Sequence, residues 1–356
     1  MPRRALFQNR ELCWSYSVMS RIEVGDRPER TMKTVPAKVA VLIPCYNEEI
    51  TIAETIHAFI RELPEADIYV FDNNSSDRTI ERALSAGARV FQERRQGKGF
   101  VVQTMFRNVD ADVYVMVDGD GTYPPDAVCS LIEPIVRGDA DMVVGSRLHA
   151  ESRSQFKRLN RWANRLVLSV LNSMFRVQLT DVLSGYRAFS RSFVKNLPLF
   201  GGGFEIETEL TIKAVARGQR ILEVPIDLTH RPSGSHSKIR FLRDGAIILN
   251  TLLALFRDYK PLTFFGGIGV VMILLALIPG TIVLVEFIET GLVPRLPSAV
   301  LAVGLVLCGL LSFTVGLILH SIARRSQELE YQMQVLAREL RSTRVSDNDA
   351  KAQAVK

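Results

Sequence analysis

Asp118-Gly119-Asp120 sets two carboxylates at the end of the apolar run Val113 to Val117, separated by a residue with no side chain. Two hard oxygen ligands at that spacing can hold Mg2+ or Mn2+ and leave coordination positions for phosphate oxygens. The alternative use of such a pair is two N-capping or turn aspartates that tie a loop. Two other apolar runs end in similar chemistry. Val41-Leu42-Ile43 leads into Pro44-Cys45-Tyr46-Asn47-Glu48-Glu49, and Tyr69-Val70-Phe71 into Asp72-Asn73-Asn74-Ser75-Ser76-Asp77. Arg147, Arg187, Arg231 and Lys238 stand in short polar motifs further along, with Arg158 and Arg161 between them. Guanidinium and ammonium groups of this kind neutralise phosphate.

Three other uses of the acidic and glycine motifs can be weighed from spacing. An EF-hand loop starting at Asp118 has Tyr123 where glycine is needed and Cys129 where glutamate is needed, so that form of calcium binding fails. Gly97-Lys98-Gly99 lacks the earlier glycine and the following Ser or Thr of a phosphate-binding P-loop. An apolar strand followed by Asp118-Gly119-Asp120-Gly121-Thr122 also resembles the nucleophile motif of haloacid-dehalogenase-type phosphatases, in which the first aspartate is phosphorylated. That reading leaves the two earlier strand ends without a task.

These residues are positioned by short apolar runs alternating with helix-length segments. Lys38–Ile43, Asp67–Phe71, Ala88–Phe91, Val113–Val117 and Asp141–Val144 read as strands, which predicts β-α-β units and a mostly parallel, Rossmann-like sheet. Ligands of such sheets bind beyond the carboxyl ends of the strands, where the three polar segments fall. After Asp181 the pattern predicts a strand over Leu183–Ser190, a glycine turn at Gly201–Gly203, a helix over Phe204–Ala216 and a strand over Ile221–Ile226.

The chain has 356 residues, 44 basic against 38 acidic, 47% hydrophobic and 23% charged. That composition excludes a disordered or fibrous chain, and four scattered cysteines without Cys-x-x-Cys spacing exclude a disulfide scaffold and argue against a zinc site. The mean hydropathy of +0.12 comes from two uncharged runs, Leu262–Val285 and Leu296–Ala323. Each is longer than the roughly 20 residues that cross about 30 Å of hydrocarbon. The expected organisation is a mobile basic leader over 1–37, a catalytic domain over 38–237 and an interfacial amphipathic helix over 238–260. Two transmembrane helices follow within 261–323, at about 262–287 and 297–322, and then a helical tail over 324–356. Arg257, Lys260, Arg324 and Arg325 flank the outer ends of the hairpin, while its turn offers only Arg295. The positive-inside rule then puts the catalytic domain and both termini in the cytoplasm, with the hairpin in the cytoplasmic membrane. The leader has no sustained apolar core, so no secretory signal is expected. Leu329, Met333, Leu336 and Leu340 recur at four-three-four spacing in the tail, which permits a short coiled coil.

Taken together and in this order, Val41 to Glu49, Asp72 to Thr79 and Asp118-Gly119-Asp120 resemble the N-terminal motifs of family 2 glycosyltransferases, which have the GT-A fold. Gly145-Ser146-Arg147, Asp181 to Phe189, and Arg231 followed by Ser237-Lys238 resemble the polyprenyl-phosphate sugar synthases, the branch with dolichol-phosphate mannose synthase and bacterial undecaprenyl-phosphate glycosyltransferases. Where those relatives often read Asp-Ala-Asp-Leu-Gln, this chain ends its motif in Thr122. The resemblance implies an inverting transfer of one sugar from a UDP- or GDP-linked donor to a polyprenyl phosphate at the cytoplasmic membrane face. It implies Mg2+ or Mn2+ on Asp118 and Asp120, with Arg147 and Arg187 joining them in catalysis. Pro44, Tyr46, Asn47, Glu48, Asp72, Asn74, Asp77, Lys98, Asp118 and Glu205 are then expected around the nucleotide sugar. Arg147, Arg158, Arg161, Arg231 and Lys238 are expected around the lipid phosphate. Expected partners are the donor, the acceptor, the bilayer and a second copy of the chain through hairpin or tail, with no nucleic acid. A processive polysaccharide synthase of the same fold and a non-catalytic membrane scaffold subunit are the alternatives.

Overall fold

The computed structural model describes residues 37–147, 168–169, 172–173, 177–203, 206–229, 250 and 253–354. They fall into two compact units, 1–252 and 253–356. All but residue 37 of the expected leader, and all but 250 and 253–260 of the expected interfacial helix, lie outside the described residues.

The first unit is built on a seven-stranded sheet of β1 (Val39–Cys45), β2 (Asp67–Asp72), β3 (Arg89–Gln92), β4 (Val113–Met116), β5 (Met142–Ser146), β6 (Arg187–Ser190) and β7 (Ile221–Pro225). The strand order is β3-β2-β1-β4-β6-β5-β7. All neighbours are parallel except β6, which runs antiparallel to β4 and β5. The helices are α1 (Ile52–Glu62), α2 (Thr79–Ser85), α3 (Lys98–Asn108), α4 (Val128–Val136), α5 (Arg191–Asn196) and α6 (Ile206–Ala216).

Strand β1 shows why the sheet is covered on both faces. Val41 and Ile43 belong to one core cluster with Ile52, Ile56 and Phe59 of α1 and Leu131 and Ile135 of α4. Ala40 and Leu42, pointing the other way, join Val101, Val102 and Met105 of α3 and Ile206 and Leu210 of α6. A run apolar at every position is what a strand buried on both faces requires. In α1 the buried Ile52, Thr55, Ile56 and Phe59 form one helical stripe. Helix α6 is buried from Ile206 to Ala214, including Glu207, Glu209 and Lys213, so its polar groups must find partners inside.

The strand expected over Leu183–Ser190 starts only at Arg187. Asp181 Oδ1 accepts from Leu183 N at 3.0 Å, and the Arg187 guanidinium donates to Ser184 O and Val182 O, both at 2.8 Å. Those side-chain bonds fold 181–186 into a loop before the ladder can form. The register sets the carboxyl ends of β1, β2 and β4 side by side, with Cys45 opposite Asp72 and Leu42 opposite Met116.

In the second unit α7 (Pro261–Thr290) and α8 (Leu296–Ala354) form an antiparallel hairpin. Mean hydropathy reaches 2.8 over Pro261–Thr290 and 2.5 over Leu296–Ser326, and both helices are long enough to cross a membrane. Glycines let the backbones touch: a Cβ on Gly269 would lie 2.6 Å from Gly309 O. Ser312 Oγ donates to Phe265 O at 2.8 Å, and Arg295 pairs with Glu286 at 2.8 Å near the turn. Helix α8 continues without a break beyond the apolar run into the tail.

Candidate active site

Lys98 opens α3 where two glycine segments distant in sequence cross. Gly97 has a φ of 138°, and a Cβ there would lie 2.0 Å from Gly202 O. At Gly99 a Cβ would lie 2.1 Å from Gly201 O, so side chains at either position would force the segments apart. Gly99 N donates to Gly202 O at 3.1 Å. Buried Asn73 fixes the approach: its Nδ2 donates to Glu93 O at 3.0 Å and Arg95 O at 2.8 Å, while its Oδ1 accepts from Gly97 N at 2.7 Å. The Lys98 ammonium is thereby held 2.5 Å from Asp118 Oδ1 and 2.5 Å from Glu207 Oε1. Burial alone would lower its pKa, but the two carboxylates outweigh that and raise it, so Lys98 stays charged.

The acidic turn is tied from both sides. Thr51 Oγ1 donates to Gly119 O at 2.7 Å, and Thr229 donates from N to Thr122 O at 3.0 Å and from Oγ1 to Gly121 O at 2.9 Å. Thr122 donates to Asp120 Oδ1 from N at 3.1 Å and from Oγ1 at 2.6 Å. It orients a carboxylate. Gly185 lies over Asp118, where a Cβ would come within 2.5 Å of Oδ2. Gly185 N donates to Tyr123 Oη at 2.9 Å. Burial pushes the Tyr123 phenol up, so it remains protonated among the charges of Arg147, Asp118 and Lys98.

Among the described residues no group of three or more His, Cys, Asp or Glu side chains is placed to hold a metal. Asp118 and Asp120 offer two hard oxygen donors, and the missing Gly185 side chain leaves space against Asp118 Oδ2. That donor set fits a Mg2+ or Mn2+ ion whose remaining ligands are phosphate oxygens and water.

At the ends of β1 and β2 five of the expected nucleotide-site residues, Asn47, Glu48, Asp72, Asn74 and Asp77, are tied into the loops by hydrogen bonds. Asn47 N donates to Ser75 Oγ at 2.8 Å, and Asn47 Oδ1 accepts from Ser76 N at 2.8 Å. Glu48 N donates to Thr79 Oγ1 at 2.8 Å. Asp77 accepts from Glu49 N at 3.2 Å and Thr79 N at 3.0 Å; burial pushes its pKa up, but these bonds and the Thr79 hydroxyl bring it below the ordinary value. Asn74 Nδ2 donates to Arg94 O at 2.8 Å, joining this corner to the loop before Lys98. Pro44 is half-buried in β1 and Tyr46 is exposed beside it. Asp72 is fully buried; Oδ2 accepts from Ser75 N at 3.1 Å, while Oδ1 is buried with no hydrogen-bond partner among the described residues. An unpaired buried carboxylate oxygen costs free energy, and a ligand N–H would recover it.

The two arginines expected in catalysis sit differently. Arg147, just after β5, forks onto Asp181, with Nε 2.8 Å from Oδ2 and Nη2 3.0 Å from Oδ1. The buried Asp181 is pushed up by desolvation and held down more strongly by Arg147. Arg187 is fully buried, and besides the two carbonyls it donates to Thr211 Oγ1 at 2.9 Å. It is a brace for 181–186, with burial lowering its pKa. Arg158, Arg161, Glu205, Arg231 and Lys238 lie outside the described residues. Sequence reasoning named no role for Glu207, Asn73 or Asp181. The first stands in the Glu205-Glu207-Glu209 series, whose helical phase only the glycine crossing decides; Glu209 is taken by Lys213, 2.5 Å away.

Residues 40–197 match the family model described as Glycosyl transferase family 2. Glycosyltransferase AglJ of Haloferax volcanii is 35% identical over 66% of this chain and 77% of its own length. A dolichyl-phosphate hexose transferase of the same organism is 29% identical over 59% of this chain and 90% of its own. Glucosyl-3-phosphoglycerate synthase from Mycobacterium tuberculosis, solved with Mn2+, UDP-glucose and phosphoglyceric acid, superposes with a TM-score of 0.54 at 25% identity, covering 65% of this chain and 85% of that one.

Proposed function

The chain belongs to glycosyl transferase family 2, and on that premise we propose that it moves a single sugar from a UDP- or GDP-linked donor onto a polyprenyl phosphate, inverting the anomeric carbon. The observation that carries this reading is the Asp118-Gly119-Asp120 turn at the end of β4, held against the buried, charged Lys98. Paired acidic and basic groups at a sheet's carboxyl edge suit a diphosphate leaving group. The sheet is of GT-A type and the chain is a transferase. A relative named for dolichyl-phosphate hexose transfer supports a lipid phosphate acceptor, and a solved neighbour holding Mn2+ and UDP-glucose supports the donor and the metal.

A lipid phosphate monoester has a second pKa of about 6, so the attacking oxygen is largely ionised at neutral pH and needs no general base. That oxygen forms the new bond to the anomeric carbon as the bond to the nucleoside diphosphate breaks, and the diphosphate leaves with the electron pair. A divalent cation on Asp118 and Asp120 would supply charge neutralisation to the diphosphate. Asp72 Oδ1, buried and unpartnered among the described residues, would accept an N–H of the base once the groups covering it move aside. Lys98 offers a fixed positive charge, and Asp181 holds the Arg147 fork in one orientation for an incoming phosphate. The apolar hairpin would keep the enzyme at the membrane that holds the acceptor, and the basic residues at its outer ends support a catalytic domain on the cytoplasmic side.

The test is transfer by the full-length protein in detergent, with a panel of UDP and GDP sugars, undecaprenyl phosphate and Mn2+, the lipid product being weighed by mass spectrometry. The expected product carries one sugar on the lipid phosphate. Absence of any lipid-linked sugar across the panel overturns the reading, and chains of several sugars would favour a processive synthase.

A further inference from the structure

Helix α8 runs unbroken from Leu296 to Ala354, whereas its membrane-length apolar part ends at Ser326. Beyond that point Leu329, Met333 and Leu336 are 59%, 65% and 57% exposed, an apolar stripe that nothing in the described residues covers. An unbroken helix carries this stripe away from the lipid: at about 1.5 Å per residue, Leu340 lies roughly 20 Å along the helix beyond the span. The stripe therefore cannot lie down on the bilayer without breaking α8.

We propose that it is the seam of a parallel two-stranded coiled coil with the tail of a second copy of this chain. The inference rests on the reading that α7 and α8 span a membrane, which makes neighbouring copies emerge on the same side in the same direction. Ile322, Leu329, Leu336 and Thr343 take the d positions, and Ser326, Met333 and Leu340 the a positions. In that register each g position of one copy faces the following e position of the other. The three pairs in sequence are Arg325 with Glu330, Gln332 with Ala337, and Glu339 with Arg344. Two are opposite in charge, one is neutral and none is repulsive, which is the complementarity a self-pairing parallel seam needs. Sharing one membrane raises the effective concentration and offsets the shortness of the seam.

The experiment uses the full-length chain in native membranes. Met333→Cys at the seam and Glu328→Cys at an outward position are compared after mild oxidation, with the unaltered chain setting the background from native cysteines. A crosslinked dimer specific to Met333→Cys is expected. In the Met333→Cys background, Arg325→Glu should lower the crosslinked fraction roughly five-fold, since two symmetry-related attractive pairs become repulsive. Adding Glu330→Arg should restore it, which general damage to the helix would not allow. Equal crosslinking at Met333→Cys and Glu328→Cys, or no rescue by the double charge swap, overturns the proposal. Alkaline carbonate extraction separates the two levels. A chain retained in the membrane but not crosslinked refutes the seam alone, and a chain released by carbonate refutes the membrane hairpin and with it the parallel alignment.

Discussion

Replacing Gly185 with alanine tests the geometry of the acidic turn with a single methyl group. Its Cβ would sit 2.5 Å from Asp118 Oδ2 and 2.9 Å from both Oδ1 and Cγ. The closest approach is about 0.9 Å short of ordinary van der Waals contact, so either the loop or the carboxylate must move by nearly that distance. The carboxylate is short, and its other oxygen is held by Lys98 at 2.5 Å, while the loop is pinned through Gly185 N to Tyr123 at 2.9 Å. A misplacement of this size in a catalytic group costs on the order of 100-fold in rate. The expected result for Gly185→Ala is a kcat/KM for lipid-linked sugar formation down about 100-fold, a raised Mn2+ requirement, and a melting temperature lowered only modestly, consistent with about 1–3 kcal/mol for overpacking. Initial rates over a Mn2+ titration, with a thermal melt on the same preparation, measure all three. A variant within two-fold of the parent in rate and metal dependence would refute the claim that Asp118 must stay where the structure holds it.

Three other outcomes follow from contacts already described. Lys98→Met leaves Glu207 and one face of Asp118 without their counter-charge and should cost about 3 kcal/mol of stability; adding Glu207→Gln should recover much of the melting temperature without recovering transfer. Gly119→Ala drives a Cβ to 2.6 Å from Cys45 Sγ, whereas the next contacts are 3.4 Å and 3.5 Å, so Cys45→Ala in the same chain should relieve the clash, with non-additivity of about 1 kcal/mol or more in a double-mutant cycle. Glu93 is held down to about 2 by the Arg95 fork, against the effect of burial and with help from Thr104. Because its folded pKa lies below the ordinary 4.5, its contribution is complete above that pH and is lost as the pH falls toward 2. Glu93→Gln should therefore lower the melting temperature at neutral pH yet lose less than the parent across that acid window.

The elements that position the site are legible in sequence because their causes are local. Val41 to Ile43, Tyr69 to Phe71 and Val113 to Val117 are short, continuous apolar runs, and the polar residues after each fall where parallel strands end. The hairpin is legible for the same reason. The start of β6 is not, since Leu183 to Tyr186 read as strand until Asp181 and Arg187, from the two sides, take their backbone groups. Nor is the partnership of Lys98 with Glu207, which depends on Gly97 and Gly99 meeting Gly201 and Gly202 across about a hundred residues of chain. Arg187 shows the complementary difficulty. Its motif gives it the look of a phosphate ligand, and only full burial against carbonyls and Thr211 marks it as a brace.

The most direct test of the account compares the wild-type chain with Asp120→Ala, matched for amount in the same membranes, for transfer of a radiolabelled sugar from its nucleotide to undecaprenyl phosphate with and without Mn2+. The account predicts a Mn2+-dependent lipid-linked monosaccharide from the wild type and a loss of at least about 100-fold in the variant, the scale of removing a group that stabilises developing charge. Equal product from both chains, or equal product with and without the metal, would contradict the assignment of the Asp118-Gly119-Asp120 turn as the centre of the reaction.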